Sequence, residues 1–396
     1  MDIFLARQAI YDKNHKVVAY EIFFRNSNLN VFDYKINEDI ATMKVLSNCI
    51  TIGIENITNK KRAFINCSEG ILKQHIPSIL NKEIVVVEIL ESVSQREDIL
   101  NYLQDLKNSG YILSLDSVKC DLKIKQYGNL IDIYKIDFLN TCKEEREILL
   151  REIKEINKHA ILCAEKIENK DQYDEAILNG YEYFQGYYLS KPVMILGKDI
   201  PVTRINRFDV ISESCSDNVD INRLENIIKS DVALSYKLIK FLNYSEFLKG
   251  KKINSIREAI ILIGKDNLKK LFSIIAANEM NGNEDEEILN NILSTSRFCE
   301  LIASKLTSKK EELAFLLGIL SKIDIFIDKD MKEVSRELPI NYEVKESLLG
   351  EKNELTYILK LAQSYENMDL IKIKDYCNKL RINKEELMEL YIESIR

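Results

Sequence analysis

Histidine is scarce in this 396-residue chain: the three are His15, His75 and His159, so residues 160 to 396 cannot by themselves run any histidine-dependent chemistry. Proline (4) and glycine (12) are also few, while 46% of the residues are hydrophobic, which excludes disordered, collagen-like and mucin-like chains. No apolar run approaches the roughly 18 residues that span a bilayer; Ala314 to Leu320 is among the longest. Asp2 and Arg7 interrupt what would be the apolar core of a secretory leader. The eight cysteines (49, 67, 120, 142, 163, 215, 299, 377) never fall in a C-x-x-C spacing, so zinc and redox pairs give way to buried free thiols in a reducing cytosol. A net charge of -7 lacks the concentrated basic face that nucleic-acid binding requires. The expectation is a cytoplasmic protein with no direct contact to nucleic acid or membrane.

The length favours two domains, or one barrel with an extension. Ile3 to Tyr11 and Lys16 to Arg25 read as two strands joined at Lys13-Asn14-His15. A helix around residues 38 to 56 follows, then strands at Arg62 to Cys67, Ile84 to Leu90, Ile112 to Leu115, Ile133 to Ile136, Ile161 to Ala164 and Tyr183 to Tyr188. Amphipathic stretches at Ser94 to Ser109, Glu144 to Lys158 and Lys170 to Asn179 lie between them. Such alternation predicts a parallel α/β sheet, and strands ending on polar residues match the way a (β/α) barrel places its chemistry.

Pro192 and Pro201 bracket a segment, Val193 to Ile205, without clear periodicity, and beyond Asn222 the chain reads as helix. Capping boxes are expected at Ser255/Glu258, whose helix Gly264 closes, and at Ser308/Glu311. Asp231 reads as an N-cap, and Leu234, Ile260 and Phe315 as core. The domains are placed at residues 1–205 and 206–396, an α/β barrel followed by an all-α bundle.

In a barrel, the polar residues closing the strands converge: Glu21, Asn66, Glu88, Asp116, Lys135, Glu165 and Gln185. Four carboxylates in one cavity repel, so they persist together when a hard divalent cation neutralises them, and oxygen ligands suit Mg²⁺, Mn²⁺ or Ca²⁺. The plain alternative is a set of solvated strand ends.

Several short motifs, in order, resemble one family. Arg7-Gln8-Ala9-Ile10, Tyr20-Glu21-Ile22-Phe23-Phe24-Arg25, Asn66-Cys67-Ser68, Val87-Glu88-Ile89-Leu90-Glu91, Lys135-Ile136-Asp137, Ala164-Glu165-Lys166-Ile167-Glu168 and Gln185-Gly186-Tyr187-Tyr188-Leu189 are similar to those of the EAL domain, the cyclic di-GMP phosphodiesterase barrel. Residues 206 to 396 resemble an HDOD domain through Ile228 to Leu234, Phe241-Leu242-Asn243, Ser255 to Ile260, Ala314 to Asp324 and Glu337-Leu338-Pro339-Ile340. The resemblance implies a tandem EAL–HDOD bacterial signalling protein with a shortened barrel and an HD-related bundle. It also implies roles: Glu21, Asn66, Glu88 and Asp116 for one metal, Lys135 and Glu165 for the attacking water and a second metal, Arg25 for a phosphate, and Gln185 for the far side of the pocket.

One departure stands out. Active members carry paired aspartates followed by Phe-Gly; here the second is Ser117, and Lys119 replaces the glycine. Two-metal hydrolysis holds its ions about 3.5–4 Å apart between bridging carboxylates, and a serine removes one charged ligand. The second metal is therefore expected to bind weakly or not at all, leaving at most one Mg²⁺ or Mn²⁺. In the bundle, Ser321-Lys322 stands where an HD enzyme has its His-Asp pair, so that half is read as a surface for protein partners. The leading expectation is a non-catalytic adaptor, possible as a homodimer in the way EAL barrels commonly are. The alternatives are a cyclic di-GMP sensor without turnover and a weak metal-dependent phosphodiesterase.

Overall fold

The computed structural model describes residues 2–26, 36–118, 123–200, 202, 204–216, 219–245, 247–248, 250–276, 286–327 and 329–395. Lys119, Cys120 and Pro201 lie outside them. Two compact units result, Asp2–Leu196 and Gly197–Arg396.

The first unit is a barrel of β1 (Asp2–Asp12), β2 (Val17–Phe24), β3 (Arg62–Cys67), β4 (Val85–Ile89), β5 (Ile112–Leu115), β6 (Ile133–Asp137), β7 (Ile161–Glu165) and β8 (Tyr183–Phe184). β2 to β8 pair in parallel, and β1 closes the ring by running antiparallel to both β2 and β8. Helices such as Glu38–Ile52, Glu97–Asn108, Lys143–Ile156 and Lys170–Leu178 supply the crossovers that parallel pairing demands.

Strand periodicity builds the interior in layers. Ile10, Ala19, Phe64, Val86, Ile133 and Cys163 form one buried apolar cluster. Because side chains alternate with period two, the residue two positions further along each parallel strand faces the same way. That step leads from Ala19 to Glu21, Phe64 to Asn66, Val86 to Glu88, Ile133 to Lys135 and Cys163 to Glu165. In the reversed β1 it leads back from Ile10 to Gln8. An apolar plug is thus overlain by a polar ring at the C-terminal mouth.

Two expectations about strands need correction. The segment after Pro192 is not irregular: Val193–Lys198 forms β9, paired beside β1, and its side chains are half-buried or exposed without clean alternation. The expected strand Tyr183 to Tyr188 stops at Phe184: Gln185 O accepts from Ile167 N (3.1 Å), and the chain then turns at Gly186, whose carbonyl accepts from Leu189 N (3.1 Å) and Ser190 N (2.9 Å).

The second unit is helical, from Arg204–Cys215 to Lys384–Ser394. Asp231 Oδ1 caps Val232–Asn243 by accepting from Leu234 N (3.0 Å). Ser255 Oγ accepts from Glu258 N (3.0 Å), and Gly264 (φ 76°) ends Ile256–Ile263. The box's other half is displaced by one residue: Glu258 Oε2 takes Asn254 N at 2.8 Å. The box expected at Ser308/Glu311 does not form. The chain passes through a left-handed Lys309 (φ 53°), so Lys310 becomes the N-cap of Glu311–Leu320, and Ser308 Oγ is buried without a partner among the described residues. Leu234, Ile260 and Phe315 are buried as expected. The seven described cysteines are free, but Cys142 and Cys215 are exposed. Cys142 stands at the N-cap of Lys143–Ile156, where its N–H is taken by Glu145 Oε2 (2.8 Å). No described helix is long and apolar enough to cross a membrane.

Gly318 marks a close helix contact in this unit. A Cβ there would lie 2.4 Å from Ser296 Cα, so Glu286–Ser304 and Glu311–Leu320 pack at a distance only glycine permits. Gly318→Val is expected to lower the unfolding free energy by about 1–3 kcal/mol, as overpacking does, read as a lower urea midpoint.

Candidate active and metal site at the barrel mouth

The polar ring closes around Lys135. Its Nζ lies 2.8 Å from Glu21 Oε2, 2.5 Å from Glu88 Oε1, 3.4 Å from Glu165 Oε2 and 3.8 Å from Asp116 Oδ1. Lys135 and Glu88 are both 0% exposed, so no solvent screens this cluster from within. Gln185 Nε2 donates to Glu21 Oε2 (2.8 Å) and to Gln8 Oε1 (3.2 Å), while Asn66 Nδ2 donates to Glu21 Oε1 (3.0 Å). Gln185 reaches inward because Gly186 follows it: a Cβ on Gly186 would sit 2.2 Å from the Ile167 backbone.

Ser117 occupies the left-handed region (φ 45°), which turns its side chain back into the mouth. Its Oγ donates to Glu165 Oε1 (2.9 Å) and lies 3.4 Å from Asp116 Oδ1. Lys166, also left-handed, pairs with Asp137 Oδ2 at 2.6 Å on the rim. Arg25 donates from Nη1 to Phe24 O (2.8 Å), with its guanidinium 5.4 Å from the Phe23 ring centroid. These groups open on a cavity of about 620 Å³, a size suited to a small-molecule ligand, with Phe23, Arg25, Leu139, Lys166 and Tyr187 on its wall.

Crowding of the acids shows in their titration. Burial, then Glu21, pushes Glu88 well above the usual carboxylate range. Burial and Glu165 push Asp116 up to about 7. Burial acts on Glu21 too, but Lys135 and the amides of Gln185 and Asn66 hold it below its ordinary value. Burial weakens the hold of Lys135 on its proton; the surrounding carboxylates, Glu21 first, outweigh this and push it well above the ordinary lysine range. Four carboxylates against one lysine leave a formal -3, and the two raised groups report that deficit of positive charge.

Donor chemistry fits a hard divalent cation. Asn66 Oδ1 and Glu88 Oε2 are buried with no hydrogen-bond donor among the described residues, and with Glu21 and Asp116 they form an all-oxygen set. Glu21, Asn66, Glu88 and Asp116 would hold the ion, whose chemistry when bound is to polarise a phosphoryl oxygen and acidify water. Lys135 Nζ presently fills the middle of the set, and among the described residues no three or more His, Cys, Asp or Glu side chains form a ready cage. An ion would therefore share or displace the lysine's place.

All seven strand-end residues named from the sequence come together here, and Arg25 joins them on the cavity wall. Sequence reasoning gave no role to Gln8, whose Nε2 donates to Ser190 O (3.1 Å) and whose Oε1 accepts from Gln185. The signal for it is the period-two step from the buried Ile10 to Gln8 along the same strand. In the bundle, Ser321 caps a helix end, donating to Gly318 O (2.8 Å), and has no metal-site geometry.

The HDOD domain family matches residues 202–351. The uncharacterized protein YuxH of Bacillus subtilis is 32% identical over 406 residues, spanning 100% of this chain and 98% of its own. This chain is a tandem EAL–HDOD protein and belongs to one family with YuxH. Vibrio cholerae CdgJ, a cyclic di-GMP phosphodiesterase by name, is also similar to this EAL–HDOD chain, at 28% identity over 99% of it and 91% of CdgJ. Among solved structures, the EAL-domain protein YkuI of Bacillus subtilis, in complex with cyclic di-GMP and calcium, matches at 22% identity and a TM-score of 0.39, covering 48% of this chain and 55% of YkuI.

Proposed function

We propose that the barrel binds cyclic di-GMP together with one divalent cation, turns it over slowly or not at all, and acts in signalling through the HDOD domain. The observation that carries this reading is the polar ring beneath a ligand-sized cavity, with Ser117 in the place of a second aspartate. A dinucleotide brings two negative charges into a mouth formally at -3, so its binding depends on an added cation, and Arg25 on the cavity wall adds a positive charge for a phosphate. The metal is Mg²⁺ or Mn²⁺, with Ca²⁺ as the alternative that oxygen ligands also suit, and the seven described free cysteines fit a reducing, cytoplasmic setting. CdgJ's name supports the nucleotide; Ser117 argues against full two-metal hydrolysis.

Calorimetric titration of the full chain with cyclic di-GMP tests this. Saturable heat is expected in Mn²⁺ and is expected to vanish in EDTA, and Arg25→Ala is expected to weaken binding about tenfold or more, the scale of a lost charged phosphate contact. Rapid multiple-turnover conversion to linear pGpG that Glu21→Ala abolishes would assign an enzyme instead. No heat under any metal would leave the adaptor reading, in which the barrel serves only as a docking body.

A further inference from the structure

Of the twenty-two large hydrophobic side chains exposed among the described residues, six fall between residues 368 and 395: Met368, Leu370, Ile371, Met388, Ile392 and Ile395. They belong to two faces built by the helices Leu370–Leu380 and Lys384–Ser394, both beyond the residues matched to the HDOD family.

The first face is basic. Leu370–Leu380 carries three lysines against one aspartate, a formal +2. Helical spacing places Lys374 between Leu370 and Ile371 on the exposed side, next to Met368 in the preceding turn. Lys372 is taken by Asp369 and Lys379 by Asp375, but Lys374 has no acidic partner among the described residues.

The second face is acidic. Lys384–Ser394 carries four glutamates against one lysine, a formal -3. Met388, Ile392 and Ile395 recur at i, i+4 and i+7, one stripe of the helix, while Leu387 and Leu390 are buried on another side. Glu385, Glu389 and Glu393 run along one edge of the stripe at four-residue intervals. Glu393 has Arg297 at 3.8 Å; Glu385 and Glu389 have no basic partner among the described residues.

Each face therefore exposes apolar side chains beside a charge that the other face complements. We propose that the chain self-associates through these two helices, the Leu370–Leu380 face of one copy seating on the Lys384–Ser394 stripe of a second copy, and reciprocally. A two-fold axis makes this exchange self-consistent, since whatever one copy's basic face contacts, the other's does in return. Apolar burial supplies the driving force, while the pairing of Lys374 with Glu385 and Glu389 sets register and makes the contact weaken with salt. The interface owes nothing to the barrel mouth and stands whether or not that site binds nucleotide.

Sedimentation velocity of the full chain across a concentration series tests it. The protein is expected to dimerise, and Lys374→Glu and Glu389→Lys are each expected to raise the dissociation constant about tenfold or more, because each homodimer then faces like charges at both contacts. Mixing the two variants is expected to restore the dimer: in the mixed pair one contact keeps the original polarity and the other carries it inverted. Both side chains are exposed, so circular dichroism should show unchanged helix content. A wild type monomeric at every concentration would overturn the proposal and give these faces another occupant. Dimerisation indifferent to both substitutions, or a mixture no better than its components, would place the dimer contact elsewhere and overturn it equally.

Discussion

Lys135→Met is expected to lower the unfolding free energy of the metal-free protein by about 3–5 kcal/mol, the scale for removing one partner from a buried ion cluster. Methionine fills much of the same volume, so cavity formation contributes little and the loss is electrostatic. The lysine ammonium is the cation within 4 Å of Glu21, Glu88, Asp116 and Glu165 together. Without it, four carboxylates share a mouth closed to water on its inner side.

The deficit has a predictable pH dependence. Glu88 and Asp116 bind their protons more tightly in the folded state than in the unfolded chain. Their stabilising contribution is thus complete below the ordinary carboxylate range and is lost as pH rises, for Asp116 through about 7. Protonation neutralises the variant's mouth more completely at pH 5 than at pH 8. Urea unfolding should show a larger deficit at pH 8 than at pH 5, and Mn²⁺ at pH 8 should recover part of it by supplying the missing positive charge. Equal deficits at both pH values would mean that Lys135 acts through packing alone.

Much of this mouth was legible before any coordinates, for a reason particular to barrels. Period-two alternation is a local property, so Ala19 and Glu21, or Val86 and Glu88, declare in sequence which face they share. Helix caps at Asp231, Ser255 and Gly264 are equally local. What escaped reading depends on long-range partners. Gln8 joins the ring only because β1 runs backwards against β8, and the Ser308 cap fails only because Lys309 takes a left-handed turn. That Lys135 would fill the centre of the acids, and not stand beside them, follows from the lengths of its neighbours' side chains across four strands. The exposed stripe at Met388, Ile392 and Ile395 escaped for the same reason: its spacing equals that of a core face, and only the packing shows which apolar side is covered.

Ser117→Asp is the second large prediction, and its two effects have opposite sign. The left-handed backbone there (φ 45°) is one that aspartate adopts more readily than most residues, so the substitution asks little of the chain. Its carboxylate would enter beside Asp116 and Glu165, both within 3.4 Å of the present hydroxyl. A like-charge pair at about 4 Å costs about 4 kcal/mol at an effective dielectric of 20, so the metal-free variant should be less stable than wild type by about 1–4 kcal/mol. The same repulsion is relieved when a divalent cation binds, so affinity for Mn²⁺ should rise about tenfold or more, each 1.4 kcal/mol of relief being worth a factor of ten. Urea unfolding in EDTA reads the first effect and calorimetric Mn²⁺ titration the second. If both appear, the mouth is a metal site short of one ligand, and the variant should convert cyclic di-GMP to linear pGpG faster than wild type. If stability falls with no gain in affinity, the added carboxylate meets only other carboxylates and Lys135 is the mouth's resident cation.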